Sequence, residues 1–339
     1  MEWTRGPVIG RGSTATVYLV TTVTGDLFAV KSGELSTSVF LQKEQQILSK
    51  LNSPNIISYM GYDISYSTNK PMYNLFMEYA PGGTISDMIK KQGGSLDESL
   101  IRSYTHQILL GLDHIHSNNL VHCDLKCQNI LVCENGVKIG DLGCAKLMEN
   151  RGGTAGSVFS GTPVFMAPEV VRGEDQGFAA DVWALGCVII EMATGCNPWP
   201  EVSDPVSGMY RIGFSGELPE FPRWLSPEGK NFLAGCLKRD ARDRYAVKEL
   251  LRHPFVVDFD TSFKKVEEFA KSSPTSVLNQ DFWGCFEGPE TSPDTTQTVN
   301  FSGESPSERI RQLIEANFSC SPNWINEEDW VTVRSEEIL

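Results

Sequence analysis

The hydrophobic pattern of this 339-residue chain changes near residue 80. Before that point, short runs rich in β-branched and aromatic residues alternate with Gly-containing or polar turns, which predicts an antiparallel sheet. Residues 40–51 interrupt these runs with apolar residues at helical spacing. After residue 80 helical spacing predominates and recurs at 101–116, 181–194 and 229–237. The sequence therefore predicts an α+β chain in which a small β-rich lobe precedes a larger, mainly helical lobe.

The composition changes again near residue 256. Residues 257–339 carry sixteen acidic and six basic side chains, whereas residues 1–256 carry 27 and 23. Ser, Thr and Pro cluster in this acidic region, as is typical of a flexible tail. Within it, residues 306–316 have the apolar spacing of a helix, and Trp324 and Trp330 follow. Two interpretations stay open: this segment folds back on the helical lobe, or it docks a partner.

Charge and composition exclude several classes of protein. A net charge of −14 disfavours a nucleic-acid partner, because phosphate recognition needs a concentrated basic surface. No run of about 18 apolar residues predicts a membrane span, and residues 1–10 lack the pattern of a secretory signal. Nine cysteines, an odd number, argue against a disulfide framework. We expect a protein of the cytosol, the nucleus or both, with neither a membrane nor a nucleic acid as partner.

Two glycines lie between the first two predicted strands. Gly10 and Gly12 lack a Cβ atom, which lets the backbone approach a phosphate group. A glycine-containing hairpin turn explains them equally well, and a dinucleotide-binding fold is disfavoured because a strand follows. Downstream, Lys31 ends an apolar strand, and Glu44 on the predicted helix can supply its counter-ion. The alternative for Lys31 is a snorkelling surface side chain.

The segment from Val121 to Asn129 carries the most chemical information. In it Asp124 can accept a proton from a hydroxyl group, Lys126 can neutralise a phosphoryl group in transfer, and Asn129 can bind a metal through its amide oxygen. A second carboxylate, Asp141, follows in a turn after the apolar run 137–139. Carboxylate and amide oxygens suit Mg²⁺, which keeps substrate phosphates in its coordination shell.

Taken in order, these residues resemble the protein kinase signature, which ends here with Ala167-Pro168-Glu169. The resemblance covers residues 3–256, with a small lobe at 3–80 and a large lobe at 81–256, before the tail at 257–339. It implies the bilobal protein kinase fold and phosphoryl transfer from ATP with Mg²⁺. The implied catalytic residues are Asp124 as the base, Lys126 and Lys31, and the implied metal ligands are Asn129 and Asp141.

The same resemblance implies a nucleotide site. In it Met77 guards the adenine pocket, residues 78–80 form the linker whose backbone meets adenine, and Asp87 contacts the ribose. Thr162 is expected to contact Asp124 and Lys126, and Glu169 to pair with Arg244. The implied nucleotide-binding residues are Ile9, Gly10, Gly12, Val17, Ala29, Lys31, Glu44, Met77, Glu78, Ala80, Asp87, Asn129 and Asp141.

Within the kinases, residues 124–126, 161–163 and 166–169 resemble those of serine/threonine kinases, particularly of the MAP kinase cascade. Residues 8–13, the loop 121–124 and the acidic, Trp-containing tail look most like the plant MEKK-like MAP kinase kinase kinases. That resemblance implies a MAP kinase kinase as substrate, in stress or hormone signalling that includes abscisic acid responses. The competing class is a pseudokinase that scaffolds a signalling complex. Its mark would be the loss of Lys31, Asp124, Asn129 or Asp141, and all four are present.

Three positions depart from the common kinase pattern. Ala15 replaces a glycine and Leu142 a phenylalanine, both small changes in volume or shape. Cys123 replaces the arginine that would hold a phosphorylated activation loop, and a thiol cannot form that ion pair. We therefore expect activity to depend less on loop phosphorylation, although candidate sites remain. These sites are Thr154, Ser157 and Ser160.

Overall fold

The computed structural model of the chain describes residues 3–12, 15–67, 69–148, 160–202 and 204–257. The helix predicted at 306–316 and the candidate phosphosites Thr154 and Ser157 lie outside these residues. None of the helices in the described part of the chain combines the length and the apolar composition that a bilayer crossing requires.

The first lobe is a five-stranded antiparallel sheet with one helix, so this part of the fold prediction is confirmed. The strand order is β1-β2-β3-β5-β4. Its elements are β1 (Trp3–Arg11), β2 (Thr16–Thr22), β3 (Leu27–Glu34), α1 (Val39–Leu48), β4 (Tyr59–Ser67) and β5 (Lys70–Glu78). The sequence analysis did not predict β4. In this edge strand Met60, Tyr62, Ile64 and Tyr66 alternate with Gly61, Asp63 and Ser65, but the apolar members of the alternation lie on the exposed face.

Strand β3 sends alternate side chains to opposite faces of the sheet. Phe28 and Val30 point into one small cluster with Val20 and Phe76. Since side chains alternate along a strand, Ala29 and Lys31 belong to the other face. The alternation of an ordinary strand thus directs Lys31 towards the helix α1. The strand continues to Glu34, so Lys31 lies within it and not at its end as the sequence analysis expected.

The second lobe is mainly helical, as predicted, and centres on a helix that is almost entirely buried, α5. Its helices are α2 (Ile85–Lys91), α3 (Glu98–Ser117), α4 (Pro168–Val171), α5 (Phe178–Thr194), α6 (Pro205–Phe214), α7 (Pro227–Cys236), α8 (Val247–Leu250) and α9 (Pro254–Val257). The helices predicted at 101–116, 181–194 and 229–237 coincide with α3, α5 and α7. The sequence analysis identified no helical repeat at α2, α4, α6, α8 or α9. Helix α2 has seven residues and α4, α8 and α9 have four each, whereas α6 contains Gly208 and Gly213, which are poor helix formers. Both α2 and α6 begin at capping side chains, Thr84 and Asp204.

A hairpin brings the two predicted metal ligands together. Strands β7 (Ile130–Cys133) and β8 (Gly136–Ile139) pair antiparallel, with Ile130 opposite Ile139. Asn129 comes directly before the hairpin, and Asp141 follows it after Gly140. The amide of Gly140 donates to the carbonyl of Asn129 (2.8 Å), so the two ends of the hairpin lie side by side. Two further short strands, β6 (Leu120–Val121) and β9 (Lys146–Leu147), flank this region and pair with each other.

A buried ion pair joins the segment before α5 to the chain after α7. Arg244 Nη1 and Nη2 donate to Glu169 Oε1 and Oε2, each over 2.6 Å, and both side chains are buried. The guanidinium also donates to the carbonyls of Lys238 and Ala179 and lies 5.1 Å from the ring centroid of Trp183. The predicted pair of Glu169 and Arg244 is confirmed. Its bidentate geometry and additional acceptors satisfy most of the buried donors.

Replacing Arg244 by alanine is expected to destabilise the fold by about 3–5 kcal/mol, because it leaves the Glu169 carboxylate buried without a partner. Urea denaturation of the purified chain measures this change. The matched control is Arg223→Ala, which removes an exposed partner of Glu220 and should change stability by less than about 0.5 kcal/mol. Equal losses in the two variants would contradict the structural role of the buried pair.

Candidate active site

Lys31 forms ion pairs with two carboxylates. Its Nζ lies 2.8 Å from Glu44 Oε2 and 3.0 Å from Asp141 Oδ1. Burial alone would lower the pKa of Lys31, but the two carboxylates outweigh it and the pKa is raised. Burial would raise the pKa of Asp141, and Lys31 reverses this, so that pKa lies below its usual range. The site therefore holds a permanent cation beside an ionised carboxylate.

The backbone of Asp141 adopts a conformation that few residues other than glycine accept. Its φ of 54° lies in the left-handed region, which Asp tolerates better than larger side chains do. This turn directly after the β7–β8 hairpin brings the carboxylate to Lys31 on the other lobe. Such local strain persists only where surrounding contacts fix it, and here the contact is the Lys31 ammonium.

Three polar side chains surround Asp124: Lys126 and Asn129 from the loop before β7, and Thr162 from the segment before α4. Lys126 Nζ lies 3.0 Å from Asp124 Oδ2 and donates to Thr162 Oγ1 over 2.7 Å. Thr162 in turn donates to Asp124 Oδ1 over 2.7 Å. Both contacts expected for Thr162 are present. A substrate hydroxyl group beside Asp124 therefore has a charged neighbour in Lys126 and an oriented proton acceptor in the Asp124 carboxylate.

Asn129 shares this network and leaves one oxygen for a cation. Its Nδ2 donates to the backbone carbonyl of Asp124 (2.8 Å) and to Asp124 Oδ2 (3.1 Å). Because the amide nitrogen is used in this way, Asn129 Oδ1 is left to accept. Together with the carboxylate of Asp141 at the other end of the hairpin, it supplies the hard oxygen ligands that a magnesium ion prefers. The donor set therefore fits the metal that the sequence analysis implied.

Asp181 at the start of α5 anchors the loop between β6 and β7, which carries Asp124 and is called the catalytic loop below. It accepts hydrogen bonds from the backbone amides of His122 (2.8 Å) and Cys123 (3.0 Å) and from His116 Nε2 (2.8 Å). Burial alone would raise the pKa of Asp181, but these donors outweigh it and lower the pKa. The sequence analysis placed position 181 only at the start of a predicted helix. Its function here needs the tertiary structure, since its partners lie about 60 residues away.

His122 connects the two halves of the site. Its Nε2 hydrogen-bonds to the carbonyl of Gly140 (3.1 Å), while its Nδ1 accepts from the amide of Asp124 (3.2 Å). The carbonyl oxygen only accepts, so the ring carries its proton on Nε2. The imidazole is fully buried and both nitrogens are used. His122 therefore holds the backbone beside Asp124 and Asp141, and Asp124 is the better-placed proton acceptor.

The predicted phosphate-binding glycines lie in the β1–β2 hairpin. Gly10 is opposite Val17, and the amide of Gly12 donates to the carbonyl of Ala15 (2.8 Å). Ile9, in the same hairpin, is partly exposed. Neither glycine has a positive φ, so the backbone conformation does not itself require glycine. That favours the close approach of a ligand over the alternative of a glycine-dependent turn.

The remaining predicted nucleotide residues lie along β3, β5 and α2. Ala29 and Met77 are opposite each other in the sheet and both are buried. Glu78 ends β5 and its side chain is bound by Lys138 (2.7 Å to each oxygen), with Ala80 two residues further on. Asp87 uses Oδ2 to cap α2, accepting from the amide and hydroxyl of Thr84. The Asp87 side chain therefore has a structural function in addition to its predicted contact with ribose.

Asp181 predicts a measurable pH dependence of stability. Because its folded pKa is lowered, its stabilising contribution is present above an unfolded pKa of about 3.9 and is lost as pH falls through the folded value. An Asp181→Asn variant should therefore be less stable at neutral pH and lose less stability on acidification. Urea denaturation between about pH 2 and pH 7 tests this, because the contribution is lost below about pH 3.9, with the exposed Asp175→Asn as control. Identical acid slopes in Asp181→Asn and the wild type would contradict the assignment.

Comparisons with known proteins identify the family. Residues 3–256 match the sequence model of the protein kinase domain. The chain is 46% identical to mitogen-activated protein kinase kinase kinase 18 of Arabidopsis thaliana, over 98% of this chain and 99% of that relative. It is 49% identical to mitogen-activated protein kinase kinase kinase 17 of the same plant, over 84% and 77%. The chain therefore belongs to the protein kinases, and within them to the mitogen-activated protein kinase kinase kinases, as an ATP-dependent serine/threonine kinase.

Proposed function

We propose that this kinase transfers the γ-phosphoryl group of ATP to serine or threonine residues of a MAP kinase kinase. One observation carries the proposal: the intact pair of networks around Lys31 and Asp124, which meet at the ends of the β7–β8 hairpin. The names of the Arabidopsis relatives place those proteins directly above the MAP kinase kinases of a cascade. A substrate of that class for this chain follows from the similarity.

Each residue of the site has its own function in phosphoryl transfer. Lys31, held charged by Glu44, binds phosphate oxygens, and the Gly10–Gly12 backbone covers them. Asp124 orients the substrate hydroxyl and accepts its proton, while Lys126 lies beside the same point and neutralises charge. Asn129 and Asp141 would hold Mg²⁺, which would supply positive charge to neutralise the phosphate oxygens. Catalysis by such a site is mainly positioning and electrostatic stabilisation.

The domain division and the biological setting belong to the same proposal. We infer that residues 3–256 form the kinase domain and that residues 257–339 form a separate tail. We also propose a function in a stress or hormone cascade, including abscisic acid responses, as the resemblance of the sequence to the plant MEKK-like kinases implies. A pseudokinase scaffold is the weaker alternative, because Lys31, Asp124, Asn129 and Asp141 are all present and at least one contact to another site residue is formed by each.

The proposal predicts the substrate class directly. The purified chain is mixed with Mg²⁺, ATP and a panel of inactive MAP kinase kinases, and phosphosites are mapped by mass spectrometry. We expect phosphate on serine or threonine of an activation loop. The matched control, Asp124→Asn, should lower turnover by roughly 10²–10⁴ because it removes the proton acceptor.

Three outcomes of this experiment would contradict the proposal in different ways. If a generic basic protein is phosphorylated but no MAP kinase kinase of the panel is, the proposed substrate class is overturned. Absence of transfer to every substrate would favour the scaffold. A loss smaller than tenfold in Asp124→Asn would contradict the function assigned to Asp124.

Cys123 predicts weak dependence on loop phosphorylation. Its thiol is buried, and burial raises its pKa, so the group is uncharged at neutral pH and cannot pair with a phosphate. A variant with Thr154, Ser157 and Ser160 replaced by alanine should therefore keep most of the kinase activity. The comparison is with wild-type protein before and after phosphatase treatment. Near-complete loss of activity in the alanine variant would rule out this expectation.

A further inference from the structure

We propose that Gln176 is a positioning residue that holds residues 160–162 against the catalytic loop through uncharged hydrogen bonds. This inference rests on the kinase activity proposed above and explains how its substrate side is ordered. Gln176 lies in the connection between α4 and α5 and is buried, with 7% of its surface exposed. Gln176 lies outside the kinase motifs of this sequence.

The amide of Gln176 joins two segments that are distant in sequence. Its Nε2 donates to the carbonyl of Ser160 (3.2 Å) and to the carbonyl of Cys123 (3.4 Å). A side-chain amide nitrogen carries two hydrogens, so it can satisfy both carbonyl oxygens at once. One of these carbonyls directly precedes Asp124, and the other lies two residues before Thr162. Gln176 thus connects the two segments of the chain that meet at Asp124.

Gly161 shows how closely these segments approach. It has a φ of +124°, and a Cβ atom there would collide with the carbonyl oxygen of Cys123. Only glycine combines this conformation with this contact. The next residue, Thr162, donates to Asp124 Oδ1 and accepts from Lys126. A continuous path of contacts therefore leads from the Gln176 amide through residues 160–162 to Asp124.

The position of Cys123 makes a neutral contact of this kind necessary. Where an arginine at this position would tie a phosphorylated loop to the catalytic loop, the Cys123 side chain is an uncharged, buried thiol. Its backbone carbonyl instead accepts from Gln176. Hydrogen bonds between buried neutral groups need no phosphate and are not weakened by salt as exposed ion pairs are. These hydrogen bonds order the substrate side of the site without phosphorylation of the loop.

Two variants test the inference in the full chain. Gln176→Met keeps the length of the side chain but removes both donors, and Gln176→Glu places a carboxylate against two carbonyl oxygens. The matched control is Gln92→Met, at the exposed end of α2. Turnover of a generic basic protein substrate, the KM for ATP and hydrogen exchange of backbone amides are measured for each. A generic substrate keeps the result independent of the identity of the natural one.

We expect both Gln176 variants to lower kcat about five- to tenfold, as loss of a hydrogen-bonded positioning contact implies. The KM for ATP should stay unchanged, because the Lys31–Glu44 pair that serves the nucleotide does not involve Gln176. Amides of residues 160–166 should exchange faster, while those of α5 and α7 keep wild-type rates. The defect of Gln176→Glu should shrink as pH falls, since a protonated carboxyl group regains one donor.

Wild-type kcat and wild-type exchange at residues 160–166 in Gln176→Met would overturn the inference. Faster exchange throughout the large lobe, with a parallel loss of thermal stability, would also overturn it, because it would show a general structural role. If the wild-type chain transfers no phosphate at all, the proposed function fails. The exchange comparison then still decides whether Gln176 holds residues 160–162.

Discussion

The ion pair between Lys31 and two carboxylates is the contact on which the site depends. Glu44 comes from α1, Lys31 from β3 and Asp141 from the turn after β8, so one ammonium group connects three elements of the fold. Each element is formed by its own local pattern, and the Lys31 ammonium group is a contact that all three share. The alternation of side chains along β3 directs Lys31 towards α1. The buried carboxylate of Glu44 keeps the Lys31 ammonium group charged and in place.

Polar groups buried beneath the site have a similar function on the large lobe. Asp181, at the start of α5, accepts two backbone amides of the catalytic loop, and His122 ties that loop to the residue before Asp141. Buried polar networks are costly when incomplete and rigid when satisfied. The loop that carries Asp124 and Lys126 is therefore held mainly by the packed core, which leaves its functional side chains partly accessible.

Local patterns predicted much of this structure. The strands of the first lobe and the helices α3, α5 and α7 follow from periodicity, and the pairing of Glu169 with Arg244 from the family resemblance. Strand β4 was missed although its apolar residues alternate with small and polar ones, because those apolar residues are exposed at the sheet edge and belong to no core. The seven residues of helix α2 leave little periodic signal. The functions of Asp181, His122 and Gln176 were beyond prediction for another reason: their hydrogen-bond partners are set by tertiary packing, which spacing along the chain does not encode.

The most direct test of the central claim is a crystal structure of the chain with Mg²⁺ and a non-hydrolysable ATP analogue. The account predicts Lys31 Nζ within hydrogen-bonding distance of phosphate oxygens while it still contacts Glu44. It also predicts the metal bound by Asn129 Oδ1 and the Asp141 carboxylate, with Asp124 facing the γ-phosphate. A triphosphate bound elsewhere, or Asn129 and Asp141 turned away from the metal, would contradict it.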